Sequence, residues 1–154
     1  AKLVIVGRGH MKKKLLKVAD ELGVRESLFI QSAMSFEDLA QHYRSADLVV
    51  FPSYYEGQGL IPLEALASGT PVVTVDQAPL TEMIDDTVGG LFDRGDFVGL
   101  AKAVCDELNG HVQRMKKAKA GRKRVLENFT LEGQAESYED VFLRSVQKRR
   151  WRDS

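Results

Sequence analysis

Apolar residues along this chain follow two rhythms, and the rhythms alternate. KLVIV (2–6), LFI (28–30), DLVVF (47–51) and PVVTV (71–75) are short unbroken runs, the pattern of strands buried on both faces of a parallel sheet. Between them apolar positions recur at helical spacing. Met11, Leu15, Leu16, Val18, Ala19 and Leu22 form one stripe, which Gly23 ends. Phe36, Leu39, Ala40 and Tyr43 form an inward stripe over 36–46. A third helix is expected over 60–68, with Pro62 in its first turn, where the missing N–H costs nothing. Strands and helices that alternate in this way predict a Rossmann-like α/β fold, a parallel sheet with helices on both faces. Beyond residue 76 the pattern loosens: TEMIDD suggests a short helix and GGLFD a last strand. Extra C-terminal helices follow, in three stretches beginning at Asp96, His111 and Thr130. No linker rich in Pro, Gly or Ser interrupts them, so residues 1–154 read as a single domain.

Charge and cysteine content narrow the function classes. Lys plus Arg number 22 and Asp plus Glu 22, so the basic excess of a nucleic-acid binder is missing. The single cysteine, Cys105, cannot form an internal disulfide and suits a reducing, cytoplasmic setting. Beside Val104 and Leu108 it reads as a small buried hydrophobe rather than a nucleophile. No apolar run approaches the roughly 20 residues of a spanning helix.

The candidate chemistry sits in FPSYYEGQGLIPLEALASG (51–69). In parallel α/β sheets ligands bind beyond the carboxyl ends of the strands, where this stretch begins. A helix start offers unpaired N–H groups and a partial positive charge, and so receives anions. Gly57 and Gly59 would let a phosphate approach those N–H groups. Glu56, on the loop, and Glu64, one turn into the helix, would repel that phosphate. They make sense as acceptors for hydroxyl groups on either side of it. A molecule with hydroxyls flanking phosphates is a nucleotide sugar.

From Ser53 to Val72 the residues read S-x-x-E-G-x-G-L-x-x-x-E-A-x-A-x-G-x-P-V. This string resembles the donor-site signature of group 1 glycosyltransferases of the GT-B fold. LVIVGRG (3–9), the Ala46-Asp47 pair, Glu82 and the GGLFD…GD…LA run (89–101) resemble that family too. The resemblance implies the C-terminal half of a GT-B fold and a retaining, hexose-transferring, metal-independent enzyme. It places Glu56 on the hydroxyls of the reacting sugar, the catalytic position, and Glu64 on the ribose. Backbone N–H groups of Gly57, Gln58, Gly59 and Leu60 would hold sugar and pyrophosphate. Gly7 and Gly9 would line the same cleft, and the backbone at Ala33 and Met34 would meet the base. No cofactor and no metal are implied. The family's phosphate-binding Arg and Lys and its acceptor-binding N-terminal domain precede this region. The chain is therefore expected to be the donor half of a two-domain enzyme, inactive in transfer alone, with the N-terminal domain as its partner.

Several positions depart from the family pattern. Gln58 stands where a Phe or similar residue is usual, Asp76-Gln77-Ala78 replaces a glycine pair, and Gln31 replaces a glycine. The rival is a non-catalytic sugar-nucleotide module whose site has eroded, which Gln58 and Asp76 would suit. A dinucleotide site at GRGHMK is disfavoured, since Lys12 takes the third glycine's place and no acid ends LFI. No P-loop motif occurs. Tyr54 and Tyr55 suit either the sugar pocket's wall or packing on the strand edge. The basic stretches RMKKAKAGRKR (114–124) and QKRRWR (147–152) read first as a solvated helix face and tail. The second reading is a peripheral contact with anionic lipid, for which Trp151 is the best argument.

Overall fold

A computed structural model describes residues 1–150, with side chains through residue 147. The single span expected from the sequence clusters into two compact units, Ala1–Leu39 and Ala40–Ser154.

In the first unit β1 (Leu3–Val6) and β2 (Leu28–Gln31) pair in parallel, from Leu3 opposite Leu28 to Val6 opposite Gln31. Helix α1 (Lys12–Glu21) and a 3-10 turn at Arg25–Ser27 connect them. The amide of Gly23 bonds to the Asp20 carbonyl at 3.0 Å and so closes α1, as expected of a glycine stop. Burial departs from expectation. Of the apolar stripe on α1 only Ala19 is buried, and Leu22 is 70% exposed. Leu3, Val4 and Val6 of the supposed buried strand are exposed as well. Two strands of four residues and one helix are too little structure to cover both faces of a ladder.

Helix α2 (Phe36–Ser45) carries the chain into the second unit. The Ser35 hydroxyl accepts from the Asp38 amide at 3.1 Å and donates to the Asp38 carboxylate at 2.9 Å, which fixes the helix start. Phe36, expected inward, is 84% exposed, because it stands at the first position of the helix.

The second unit is built on β3 (Val49–Phe51), β4 (Val72–Val75) and β5 (Gly89–Phe92), a parallel ladder with β4 in the middle. Helix α3 (Leu60–Ala67) joins the first two strands and the short α4 (Leu80–Met83) the last two. Helices α5 (Phe97–Asn109), α6 (His111–Asn128) and α7 (Leu131–Arg150) follow, close to the three expected stretches. Successive side chains on a strand face opposite ways. Val72 accordingly packs with Leu63 and Leu66 of α3, Leu80 and Met83 of α4, and Val125 of α6. Val73 and Val75 pack on the other side with Phe92 and with Leu100, Ala103 and Val104 of α5. Helices thus cover both faces of this ladder. β4 is wholly buried, as its apolar run predicts. Gly121 admits the close approach of α6 to α3, since a Cβ there would lie 2.6 Å from Leu66 Cδ2.

Two expectations are corrected here. Cys105 is exposed. Val104 faces the sheet, and the next residue on a helix points about 100° away. The stretch 114–124 is neither a solvated face nor a free basic surface throughout. Arg114 is buried, donates to the Glu107 and Leu108 carbonyls and pairs with Asp47 at 2.9 Å. Lys117 pairs with the buried Glu107 and donates to the Gly89 carbonyl at 2.8 Å. Arg122 donates to the Ala67 carbonyl, and Arg124 to the Met83 carbonyl at 3.0 Å. Four of the basic residues therefore make structural contacts within the unit. The tail reading rests on Trp151 and Arg152, which lie outside the described residues. Among the described residues no helix is long and apolar enough to cross a membrane.

Candidate functional site

The loop between β3 and α3 ends on Gly59, whose φ of +86° is left-handed. A side chain there would be strained by its backbone and would also press on Leu80 Cδ2 and Met83 Cε, at 2.9 and 3.0 Å. The fold itself therefore asks for glycine at 59. Gly57 differs. Its φ is not positive, and a Cβ would meet nothing within 4 Å. Neither backbone conformation nor packing explains a glycine at 57, whereas room for a ligand would.

Behind this loop α3 begins without a side-chain cap. The contrast with α5 is instructive. There the Asp96 carboxylate accepts from the Val98 and Gly99 amides at 3.1 and 2.8 Å, so that helix start already has its anion. At α3 no side chain takes the equivalent amides.

Glu64 lies on the outward stripe of α3 with Leu60 and Ile61, while Leu63, Ala65 and Leu66 are buried. The i, i+4 spacing puts its carboxylate one turn from the helix start, above Leu60. Tyr43 of α2 donates to Glu64 Oε2 at 3.1 Å. Burial, then the charge and the hydrogen bond of Glu64, push the Tyr43 phenol up to about 12, so it stays a proton donor. Thr70, buried at the far end of α3, holds the Tyr43 backbone by donating to its carbonyl at 2.5 Å. Glu56 is half-buried on the loop.

The departures at 76 and 77 acquire places. Gln77 Nε2 donates to the Tyr54 carbonyl at 2.6 Å, so it braces the loop between β3 and α3. Asp76 is exposed and lines a crevice with Asp93, Asp96, Lys102 and Asp106, beside β5 and α5. Among the described residues no cluster of His, Cys, Asp and Glu is arranged to hold a metal ion.

Residues 1–124 match the sequence profile of the family described as glycosyl transferases group 1. The chain belongs to the group 1 glycosyltransferases. It is 42% identical over 92 residues to an uncharacterized glycosyltransferase of Methanocaldococcus jannaschii, a match that covers 60% of this chain and 24% of that protein. Among solved structures, sucrose-phosphate synthase from Thermosynechococcus elongatus superposes with a TM-score of 0.83 at 26% identity, over 96% of this chain and 39% of that one. A mutant of TarM from S. aureus, in complex with fondaparinux, alpha-GlcNAc-glycerol and UDP, gives a TM-score of 0.81 at 25% identity, over 92% of this chain and 29% of that one. The chain thus spans between about a quarter and two fifths of these three proteins.

Of the positions that the group 1 glycosyltransferase signature singles out, Glu56, Gly57, Gln58, Gly59, Leu60 and Glu64 fall within the second unit, on one loop and the first turn and a half of α3. Gly7, Gly9, Ala33 and Met34 fall within the first. Gly7 and Gly9 follow β1, and a Cβ at either would meet nothing within 4 Å. Ala33 and Met34 lie between β2 and α2, outside both strand and helix. Sequence reasoning passed over three residues that support the site: Tyr43, Gln77 and Arg94. Tyr43 reads as an apolar helix position from its spacing alone. Gln77 reads only as a missing glycine. Nothing near Arg94 in the chain announces its partners, Tyr54 and Tyr55, 40 and 39 residues earlier.

Proposed function

We propose that this chain binds the donor of the transfer, a nucleoside-diphosphate sugar, at the start of α3. The uncapped first turn behind Gly57, where the protein leaves open space, carries the proposal. The pyrophosphate would take the unpaired N–H groups from Gly57 to Leu60, helped by the positive end of the helix. Glu64, oriented by Tyr43, would accept from the ribose hydroxyls, and Glu56 from the hydroxyls of a hexose-type sugar. Superposition on a UDP-bound relative supports a nucleotide of this class.

For the whole protein we propose transfer with retention at the anomeric carbon, without a metal ion. The bond from that carbon to the diphosphate oxygen breaks, and the acceptor oxygen bonds on the same face. The acceptor's proton passes to the departing diphosphate. Donors aimed at the developing charge on phosphate lower this barrier. The acceptor would be held by a second, N-terminal domain, which would also bring basic residues to the phosphate. Titration of the chain with UDP, GDP, ADP and their glucose conjugates tests the donor reading. Binding of one nucleotide, weak without the second domain, is expected. A folded chain that binds none at millimolar concentration refutes it.

A further inference from the structure

The loop that carries Glu56 ought to be mobile, because two glycines follow it and β3 stops at Phe51. Yet its first half is fastened from outside. The Arg94 guanidinium, just past β5, has its carbon 5.0 Å from the centre of the Tyr54 ring and 4.9 Å from that of Tyr55. Its Nη2 donates to the Tyr55 hydroxyl at 2.9 Å. Both ring contacts lie within the roughly 6 Å at which a cation is drawn to an aromatic face. Among the described residues Arg94 makes no ion pair, so no carboxylate draws it from the rings. From the other side Gln77 holds the Tyr54 carbonyl at 2.6 Å, and Ser53 Oγ reaches the Tyr55 carbonyl at 3.4 Å. The next residue is Glu56.

We propose that Arg94 is a positioning residue: it clasps Tyr54 and Tyr55 and so sets the backbone from which Glu56 meets the donor sugar. The inference rests on the donor reading above, and it adds a residue that the glycine–glutamate motif does not contain. Arg94 and Tyr55 are both exposed, so the clasp adds little to global stability and acts on its own segment. Its contacts among the described residues are to Tyr54 and Tyr55, whereas Glu64 is held by Tyr43, so it acts downstream of nucleotide capture. Nucleotide affinity and sugar affinity should therefore separate when it is cut.

Amide hydrogen exchange and calorimetric titration with UDP and UDP-glucose, on the full chain and its variants, test this. In Arg94→Gln the amides of Tyr55 and Glu56 should exchange about tenfold faster or more, while Gly57 to Leu60, β4 and the core of α3 keep wild-type rates. UDP affinity should stay within about twofold, and the preference for UDP-glucose over UDP should fall about fivefold. Arg94→Lys, which keeps the cation but not the planar fork, should recover part of both effects. Tyr55→Phe, which keeps the ring and loses the hydroxyl, should fall between. Unchanged exchange in Arg94→Gln overturns the clasp. So does equal weakening of UDP and UDP-glucose with faster exchange throughout α3, which marks a general structural role. If the wild-type chain binds none of UDP, GDP, ADP and their glucose conjugates at millimolar concentration, the donor reading fails, and the exchange rates alone decide whether Arg94 orders the loop.

Discussion

Tyr43 Oη and Glu64 Oε2, 21 residues apart in sequence, meet at 3.1 Å, and Tyr43 is the donor. A helix that brings no signature residue to the site thus orients the carboxylate assigned to the ribose. Tyr43→Phe should weaken nucleotide binding about three- to tenfold, the effect of losing one hydrogen bond worth roughly 0.5–1.5 kcal/mol. The same pair has a pH signature. The folded phenol titrates at about 12 against 10.0 unfolded, so its contribution is complete below pH 10 and is lost as pH rises towards 12. The stability difference between wild type and Tyr43→Phe, from denaturant unfolding at several alkaline pH values, should shrink across that window. A constant difference would show that the phenol is not held by Glu64.

The two glutamates should fail in different ways. In the full-length enzyme, Glu64→Gln removes binding energy shared by ground and transition states, so it should raise the donor KM and weaken the free nucleotide. On the proposed donor reading, Glu56→Gln acts where the sugar ring gains positive charge. It should leave free-nucleotide affinity near wild type and lower kcat. Steady-state kinetics and nucleotide titration of both variants check this. Equal loss of nucleotide affinity in the two would end the division of labour.

Gly57 and Gly59 make a second contrast. Gly59→Ala must place a side chain at φ +86° and against Leu80 and Met83, so it should cost about 1–2 kcal/mol of stability. Gly57→Ala meets empty space and should change stability by less than about 0.5 kcal/mol. It should nonetheless lower nucleotide affinity about tenfold or more, because its methyl group would occupy the approach to the helix start. Thermal melts with titration separate the two, and wild-type affinity in Gly57→Ala would show that the ligand does not come there.

Asp85 contributes to the acid limb of stability. Burial alone would raise its carboxyl, but hydrogen bonds from Arg124 and Thr87 outweigh this and hold it at about 2. The folded value lies below the ordinary carboxyl value of 3.8, so the contribution is present above about pH 4 and is lost as pH falls towards 2. Asp85→Asn should flatten that limb and cost roughly 0.2–1 kcal/mol at pH 7, the range for exposed pairs. Acid unfolding curves that superpose for the two proteins would contradict it.

Much of this was legible in the sequence because it depends on periodicity or on a local string. The β4 run PVVTV, the three late helices and the placement of Glu64 one turn into α3 are of that kind. Burial of β1 and α1 was not legible, because a strand's pattern gives its shape but not what covers it. Tyr43–Glu64, Gln77–Tyr54 and Arg94–Tyr55 were hidden for a different reason. Each joins positions 21 to 39 residues apart, and no spacing rule reaches across a fold. The basic stretch misled because charge counts do not show direction. Arg114, Lys117 and Arg124 share one face of α6 at helical intervals, and they and Arg122 turn towards neighbouring carbonyls rather than water.

Those inward cations give α6 the part of a common keystone. Arg114 closes the last turn of α5, Arg122 that of α3 and Arg124 that of α4, each by taking carbonyls that a helix end leaves unpaired. Three separate helices therefore share part of their endings with a fourth that comes after all of them in the chain. A ribosome that has delivered residue 110 has made every strand of the second unit and the Gly69 turn that closes α3, but not the side chains that take these remaining carbonyls. Until α6 arrives, the Ala67 carbonyl of the helix that would greet the nucleotide lacks its Arg122 partner.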